Sequence, residues 1–188
     1  MISPLLPTYA RAPLAFERGE GSWLIDTEGR RFLDLAAGIA VNALGHAHPR
    51  LVATLAEQGA RLWHVSNLYR IPEQERLAER LVAETFADTV FFTNSGTEAA
   101  ELAIKMARRF WHERGEHERT RILTFEGAFH GRSIAAISAA GAEKLTRGFE
   151  PLLPGFTRLP FGDAEEIGAA LSAELEKGDV AAVMLEPV

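Results

Sequence analysis

From Glu73 onward the chain alternates segments of helical spacing with short apolar runs, and no other feature restricts its architecture as much. "IPEQERLAERLVAETF" has Pro72 at its start and sets Leu77, Leu81 and Val82 among charges, the pattern of an amphipathic helix. "TVFFTNS" follows as a short buried strand. Residues 97–114 carry Leu102, Ile104, Met106 and Phe110 among charges and form the strongest helical signal. After a charged, solvated loop, "ERGEHERTR", the run "RILTFEG" reads as another strand and "GRSIAAISAAG" as a short helix. "GDAEEIGAALSAELEKGD" has acids in its first turn and Lys177-Gly178 at its end, matching helix start and stop signals. "VAAVMLEPV" is expected to be a buried strand. Helix and strand in strict alternation predict an α/β fold with a parallel sheet.

The front of the chain does not share this alternation. "PLAFERGEGSWLIDTEGRRFLDLAAG" holds short runs rich in Phe, Trp, Leu and Ile, punctuated by Gly21 and by Asp26-Thr27-Glu28-Gly29. A small antiparallel hairpin in a separate lobe is expected there. Pro49 then begins a helix that sets Leu51, Leu55 and Leu62 on roughly one face.

Bulk properties exclude several classes. With 47% hydrophobic and 24% charged residues the 188-residue chain has the composition of a globular protein, not of a disordered one. A net charge of -6 argues against a nucleic-acid or anionic-membrane partner. The absence of cysteine excludes disulfides, thiolate metal sites and a cysteine nucleophile. No run reaches the roughly 18 apolar residues of a membrane span, and the N-terminus lacks a signal-peptide pattern, so a cytoplasmic protein is the default expectation. His46 and His48 have no further ligand at metal spacing, so no metal site is expected.

Ser95-Gly96-Thr97-Glu98 stands where an apolar run enters a helix. One reading is a capping box, with the Ser95 hydroxyl accepting from the N–H three residues on and Glu98 reaching back. The other adds that a glycine-containing strand-to-helix turn leaves N–H groups free for an anion, with the Ser95 and Thr97 hydroxyls beside them. The two are compatible. Neither Gly-x-x-x-x-Gly-Lys-Ser/Thr nor Gly-x-Gly-x-x-Gly occurs, so a single phosphate on a small cofactor fits better than a nucleotide.

Five stretches, "GIAVNALGHAHP", "HVSNLYRIPEQ", "TNSGTEAAELAIK", "FEGAFHGRS" and "LEPV", occur in the order and at about the spacing found in class III pyridoxal-phosphate aminotransferases. The chain resembles that family over nearly its whole length, most closely its acetylornithine-type members. The resemblance implies a PLP-transferase fold of type I. Residues 1–60 would contribute to the small domain, and residues 61–188 would form the first part of the large α/β domain. It further implies that Gly96 and Thr97, with Ser95 beside them, bind the phosphate of pyridoxal 5'-phosphate. Phe129 would stack on the pyridine ring and Arg132 would take the substrate α-carboxylate, roles suited to a flat ring and to a guanidinium fork. Taken singly, Phe129 reads as a core residue, Arg132 as a solvated charge and His130 as a local hydrogen-bonding residue with no proton to transfer. Asn67 and Tyr69 border the substrate entrance in the family. Glu186 falls at a strand end near the expected ring position and is grouped with the cofactor residues, its own role open.

The family's chemistry needs a lysine that forms the Schiff base and an aspartate that keeps the pyridine nitrogen protonated. The resemblance implies that both lie beyond Val188. Lys105, Lys144 and Lys177 are the only lysines, within a helix, in a loop and at a helix end respectively, and none sits in the family's lysine motif. A parent chain of roughly twice this length is therefore expected, with the isolated 188 residues inactive and unstable because strand edges and apolar faces lie uncovered. The implied activity is transfer of an amino group from N-acetylornithine or a related ω-amino acid to 2-oxoglutarate, in arginine biosynthesis, by a homodimer. Ornithine, succinylornithine and 4-aminobutyrate enzymes are alternatives within the class. A non-catalytic relative that keeps a dimer-forming or phosphate-binding surface, and a generic phosphate-binding module, are alternatives outside it.

Overall fold

The computed structural model describes residues 4–187 and divides into two units, one running to Leu77 and the other from Ala78. The boundary falls inside one helix, α3 (Pro72–Glu84).

The first unit is built on β1 (Phe16–Glu20), β2 (Trp23–Asp26) and β3 (Arg31–Leu33), paired in that order and antiparallel. The expected hairpin is thus a three-stranded meander. Gly21, with φ +55, makes the extra turn, and the turn at residues 26–30 is closed by Asp26. The Asp26 carboxylate accepts from the N–H groups of Glu28 at 3.0 Å and Arg30 at 2.8 Å and from Arg30 Nε at 2.7 Å. Burial works to raise its pKa, but these hydrogen bonds and the Arg30 charge outweigh burial and hold it below the ordinary value. His46 Nε2 sits 2.8 Å from Asp34, whose other carboxylate oxygen accepts from the N–H groups of Ala36 and Ala37. These bonds open a single turn, α1 (Ala37–Ala40), in which all four residues have positive φ. The expected second helix is α2 (Pro49–Gly59), begun by Pro49. Its apolar positions Leu51 and Leu55 are exposed, as is Leu62 just beyond it.

The second unit has a three-stranded parallel sheet in the order β5 (Phe156–Leu159), β4 (Arg121–Phe125), β6 (Val180–Val183). Around it are α4 (Gly96–His112), α5 (Ile134–Ala140), the one-turn α6 (Glu143–Thr146) and α7 (Ala164–Leu175). Central β4 explains the core, because its side chains alternate between the sheet faces. Leu123 and Phe125 pack with Leu159, Val180 and the α7 residues Ile167, Ala170 and Leu171. Ile122 points the other way, into Ile104 of α4 and Ala135 of α5. Thr124, on that same side, is fully buried, and its hydroxyl donates to Ala139 O at 2.8 Å, so the polar group is satisfied. Burying each large apolar side chain of β4 contributes about 1.5–3 kcal/mol. At the start of β4, Arg121 ties three elements together. Its guanidinium donates to Asp179 at 2.7 Å and to Thr157 Oγ1 at 3.0 Å, and also pairs with Glu174.

Parallel pairing with helices between the strands bears out the α/β expectation, but two strand assignments change. Residues 89–95, expected as a buried strand, have no ladder partner among the described residues, and Phe91 is 68% exposed. Apolar character licenses a strand only where a neighbour supplies hydrogen bonds. Strand β6 is an edge strand among the described residues: Val180 is buried, whereas Val183 is 44% exposed. Strand β5, four residues between Gly155 and Pro160, is not announced by the sequence pattern. Lys144, expected in a loop, lies in α6. No helix of the described residues is long and apolar enough to cross a membrane.

Candidate functional site

The capping box forms with one change. Ser95 has extended backbone angles and its hydroxyl accepts from Glu98 N at 3.2 Å. Glu98 reaches back one residue further than expected, and its carboxylate accepts from Asn94 N at 2.7 Å. These bonds leave the N–H groups of Gly96 and Thr97 without an intramolecular partner among the described residues, as the first turn of any helix requires unless something else satisfies them. No heavy atom comes within 4 Å of a Cβ built on Gly96. The turn is therefore capped and still open to an anion, in a position where the dipole of the 17-residue α4 favours negative charge.

The loop from β4 to α5 reaches this turn. Gly131 has φ +123, a conformation that L side chains rarely adopt, and a Cβ there would lie 2.9 Å from Thr97 Oγ1 and 3.4 Å from Thr97 Cα. Two residues earlier, the N–H of Phe129 donates to Glu186 Oε2 at 2.8 Å. Two residues later, the Ser133 hydroxyl donates to Glu101 Oε1 on α4 and accepts from Ala136 N at 3.2 Å, which caps α5. The loop is thus bonded at Phe129 and Ser133, and at Gly131 it runs too close to Thr97 to admit a Cβ. Arg132 lies with its guanidinium carbon 6.0 Å from the centroid of the Phe129 ring, which is half exposed. A cavity of about 230 Å³ opens beside them, lined by Glu126, Gly127, Ala128, Phe161 and Glu186.

Thr97, Phe129, Arg132 and Glu186 therefore converge in the second unit, with Ser95 and Gly96 alongside. Glu186 reaches the cluster through the Phe129 backbone. Phe129 is no core residue, since half of its surface is free. Asn67 and Tyr69 belong to the first unit, in an exposed turn where Tyr69 N donates to Ser66 O at 3.0 Å. His130 is buried, and its Nε2 has no hydrogen-bond partner among the described residues. Burial pushes its pKa below the ordinary histidine value, and the negative charge of Glu186 opposes the shift without cancelling it. Sequence reading passes over Gly131 and Glu101. The positive φ of Gly131 is hinted at by a glycine just before the Ser133 cap, but nothing local marks Glu101.

Comparison with known proteins gives a family, a relative and two solved structures. The family model described as aminotransferase class-III matches residues 7–188. An acetylornithine aminotransferase of Rhodobacter capsulatus is 66% identical over 188 residues, which is all of this chain and 47% of that protein. Among solved structures, an N-acetylornithine aminotransferase from Stenotrophomonas maltophilia superposes with a TM-score of 0.74 at 42% identity, covering 96% of this chain and 43% of its own. An ornithine aminotransferase from Toxoplasma gondii superposes with a TM-score of 0.89 at 27% identity, covering 98% of this chain and 43% of its own. The chain spans about half the length of the curated relatives it matches.

Proposed function

The chain belongs to the class III aminotransferases and carries α/β architecture of the PLP-transferase fold type I, and from that premise we propose that its protein moves an amino group from N-acetylornithine, or a related ω-amino acid, to 2-oxoglutarate through pyridoxal 5'-phosphate. That activity is a step of arginine biosynthesis. One arrangement carries it: a helix start with unpaired N–H groups at Gly96 and Thr97, against which Gly131 sets the loop bearing Phe129 and Arg132.

Those N–H groups and the Thr97 hydroxyl bind the cofactor phosphate, with Ser95 holding the helix end in shape. Phe129 covers one face of the ring and excludes water from it. Arg132 pairs two-pronged with the substrate carboxylate and so orients the amino acid. Glu186 fixes Phe129 through its backbone N–H. When bound, the cofactor supplies the electron sink that the 20 standard side chains lack. The Schiff-base lysine is assigned beyond Val188. Asn67 and Tyr69 border the substrate entrance. Residues 1–60 contribute to the small domain and residues 61–188 begin the large one, in a cytoplasmic homodimer.

The test uses the full-length protein with pyridoxal phosphate, N-acetylornithine and 2-oxoglutarate, followed by glutamate formation. Glutamate released at rates well above those with ornithine or 4-aminobutyrate supports the substrate. Turnover of 4-aminobutyrate alone would reject the substrate, and no cofactor binding would reject the enzyme class.

A further inference from the structure

We propose that Glu101 is a positioning residue that holds the 127–133 loop, and with it Phe129 and Arg132, against the phosphate-binding turn through the Ser133 hydroxyl. The proposal rests on the function given above for Phe129 and Arg132.

Glu101 lies one helical turn beyond Thr97 on α4, so the two side chains occupy one ridge of the helix. They meet alternate residues of the same loop: Thr97 faces Gly131, and Glu101 accepts from Ser133. The loop needs such restraint, because Gly127 and Gly131 at φ +83 and +123 leave its backbone little intrinsic preference. Ala128 N donates to Phe125 O at 3.4 Å and the Glu186 bond holds Phe129, both in the first half of the loop, while Gly131 meets Thr97 only by close approach. The Glu101 bond is what anchors the second half to the helix that presents Gly96 and Thr97. It also selects the Ser133 rotamer, since the same oxygen accepts from Ala136 N and caps α5. No other described group donates a hydrogen bond to the Glu101 carboxylate, so that carboxylate is committed to the loop. Its effect on Arg132 passes through one residue of backbone, Arg132 being the immediate neighbour of Ser133.

The experiment compares Glu101→Ala, Glu101→Gln and Ser133→Ala in the full-length protein. In the cofactor-free chain, hydrogen exchange of amides 128–136 is expected to rise about tenfold in Glu101→Ala, as loss of a charge-assisted hydrogen bond requires, while the strands β4 and β6 exchange as in the wild type. In the loaded enzyme, KM for both carboxylate substrates is expected to rise about tenfold while kcat changes less than about threefold. The Glu101→Gln amide oxygen still accepts from Ser133, so this variant should return to within about threefold of wild type. Adding Glu101→Ala to Ser133→Ala should worsen neither measurement. Unchanged exchange and unchanged KM in both Glu101→Ala and Ser133→Ala would overturn the proposal, as would Gln being as harmful as Ala. A wild type with no transaminase activity refutes the function above instead, while the exchange arm still decides whether Glu101 holds the loop.

Discussion

Replacing Gly131 by alanine tests the contact on which the site's geometry depends. At φ +123 a residue with a Cβ carries backbone strain of about 1–3 kcal/mol. The added methyl would also stand 2.9 Å from Thr97 Oγ1, 3.3 Å from Ala136 Cβ and 3.4 Å from Thr97 Cα. Thr97 is a β-branched helical residue with a restricted χ1, and its Cα cannot retreat without moving α4, so the loop must move instead. Gly127→Ala is the control. It sits at φ +83 in the same loop with nothing within 4 Å of its Cβ, so it carries the strain without the collision. Urea denaturation of the cofactor-free full-length protein should show Gly131→Ala less stable than Gly127→Ala by about 1–2 kcal/mol, the usual penalty for overpacking. Titration with pyridoxal phosphate, followed by quenching of tryptophan fluorescence, should show affinity about tenfold weaker for Gly131→Ala alone, since a displaced loop takes Phe129 off the ring. Equal stability and equal cofactor affinity for the two variants would refute the claim that the loop and the phosphate turn are packed against each other.

Three other outcomes follow from local chemistry. Ser95→Ala removes the acceptor for Glu98 N and should cost about 1 kcal/mol in denaturation, whereas Ser95→Asp should restore that stability and yet weaken cofactor binding, because it sets a negative charge beside the phosphate site. Arg121→Met takes the shared guanidinium from Asp179 and from Glu174, which keeps Lys177, and should lower the denaturation midpoint of the full-length protein; Lys at 121 should recover only part of this, because it keeps the charge but loses the fork. His130 titrates near 6.5 when unfolded and lower when folded, so the unfolded chain binds more protons in the interval between the two values. Its contribution to stability is complete above that unfolded value and declines as pH falls below it. Denaturation midpoints measured at stepped pH should show this decline, and His130→Asn should flatten that part of the profile.

Much of the second unit is legible in the residues because its signals are local. A cap such as Ser95 or Asp163 acts within three residues, and the apolar spacing of α4 or α7 repeats within four. Gly141, at φ +64 after α5, ends that helix by the same short-range rule. The longer helices therefore fall where periodicity predicts, whereas the one-turn α6 is too short to show a period, and the alternation of those longer helices with apolar runs gives the α/β class. What the run 89–95 does, by contrast, depends on whether a neighbouring strand is there to pair with it, and β5 exists because Ile122 to Phe125 lie beside Phe156 to Leu159, over thirty residues away. The same distance separates the site residues. A phosphate turn and an aromatic-arginine loop are each readable as motifs, but the meeting of Gly131 with Thr97, of Phe129 N–H with Glu186 and of Ser133 with Glu101 belongs to the folded chain. A side chain's neighbours in sequence set its backbone, while its partners across the fold are fixed only when the sheet and helices pack and bring distant hydrogen-bonding groups within reach.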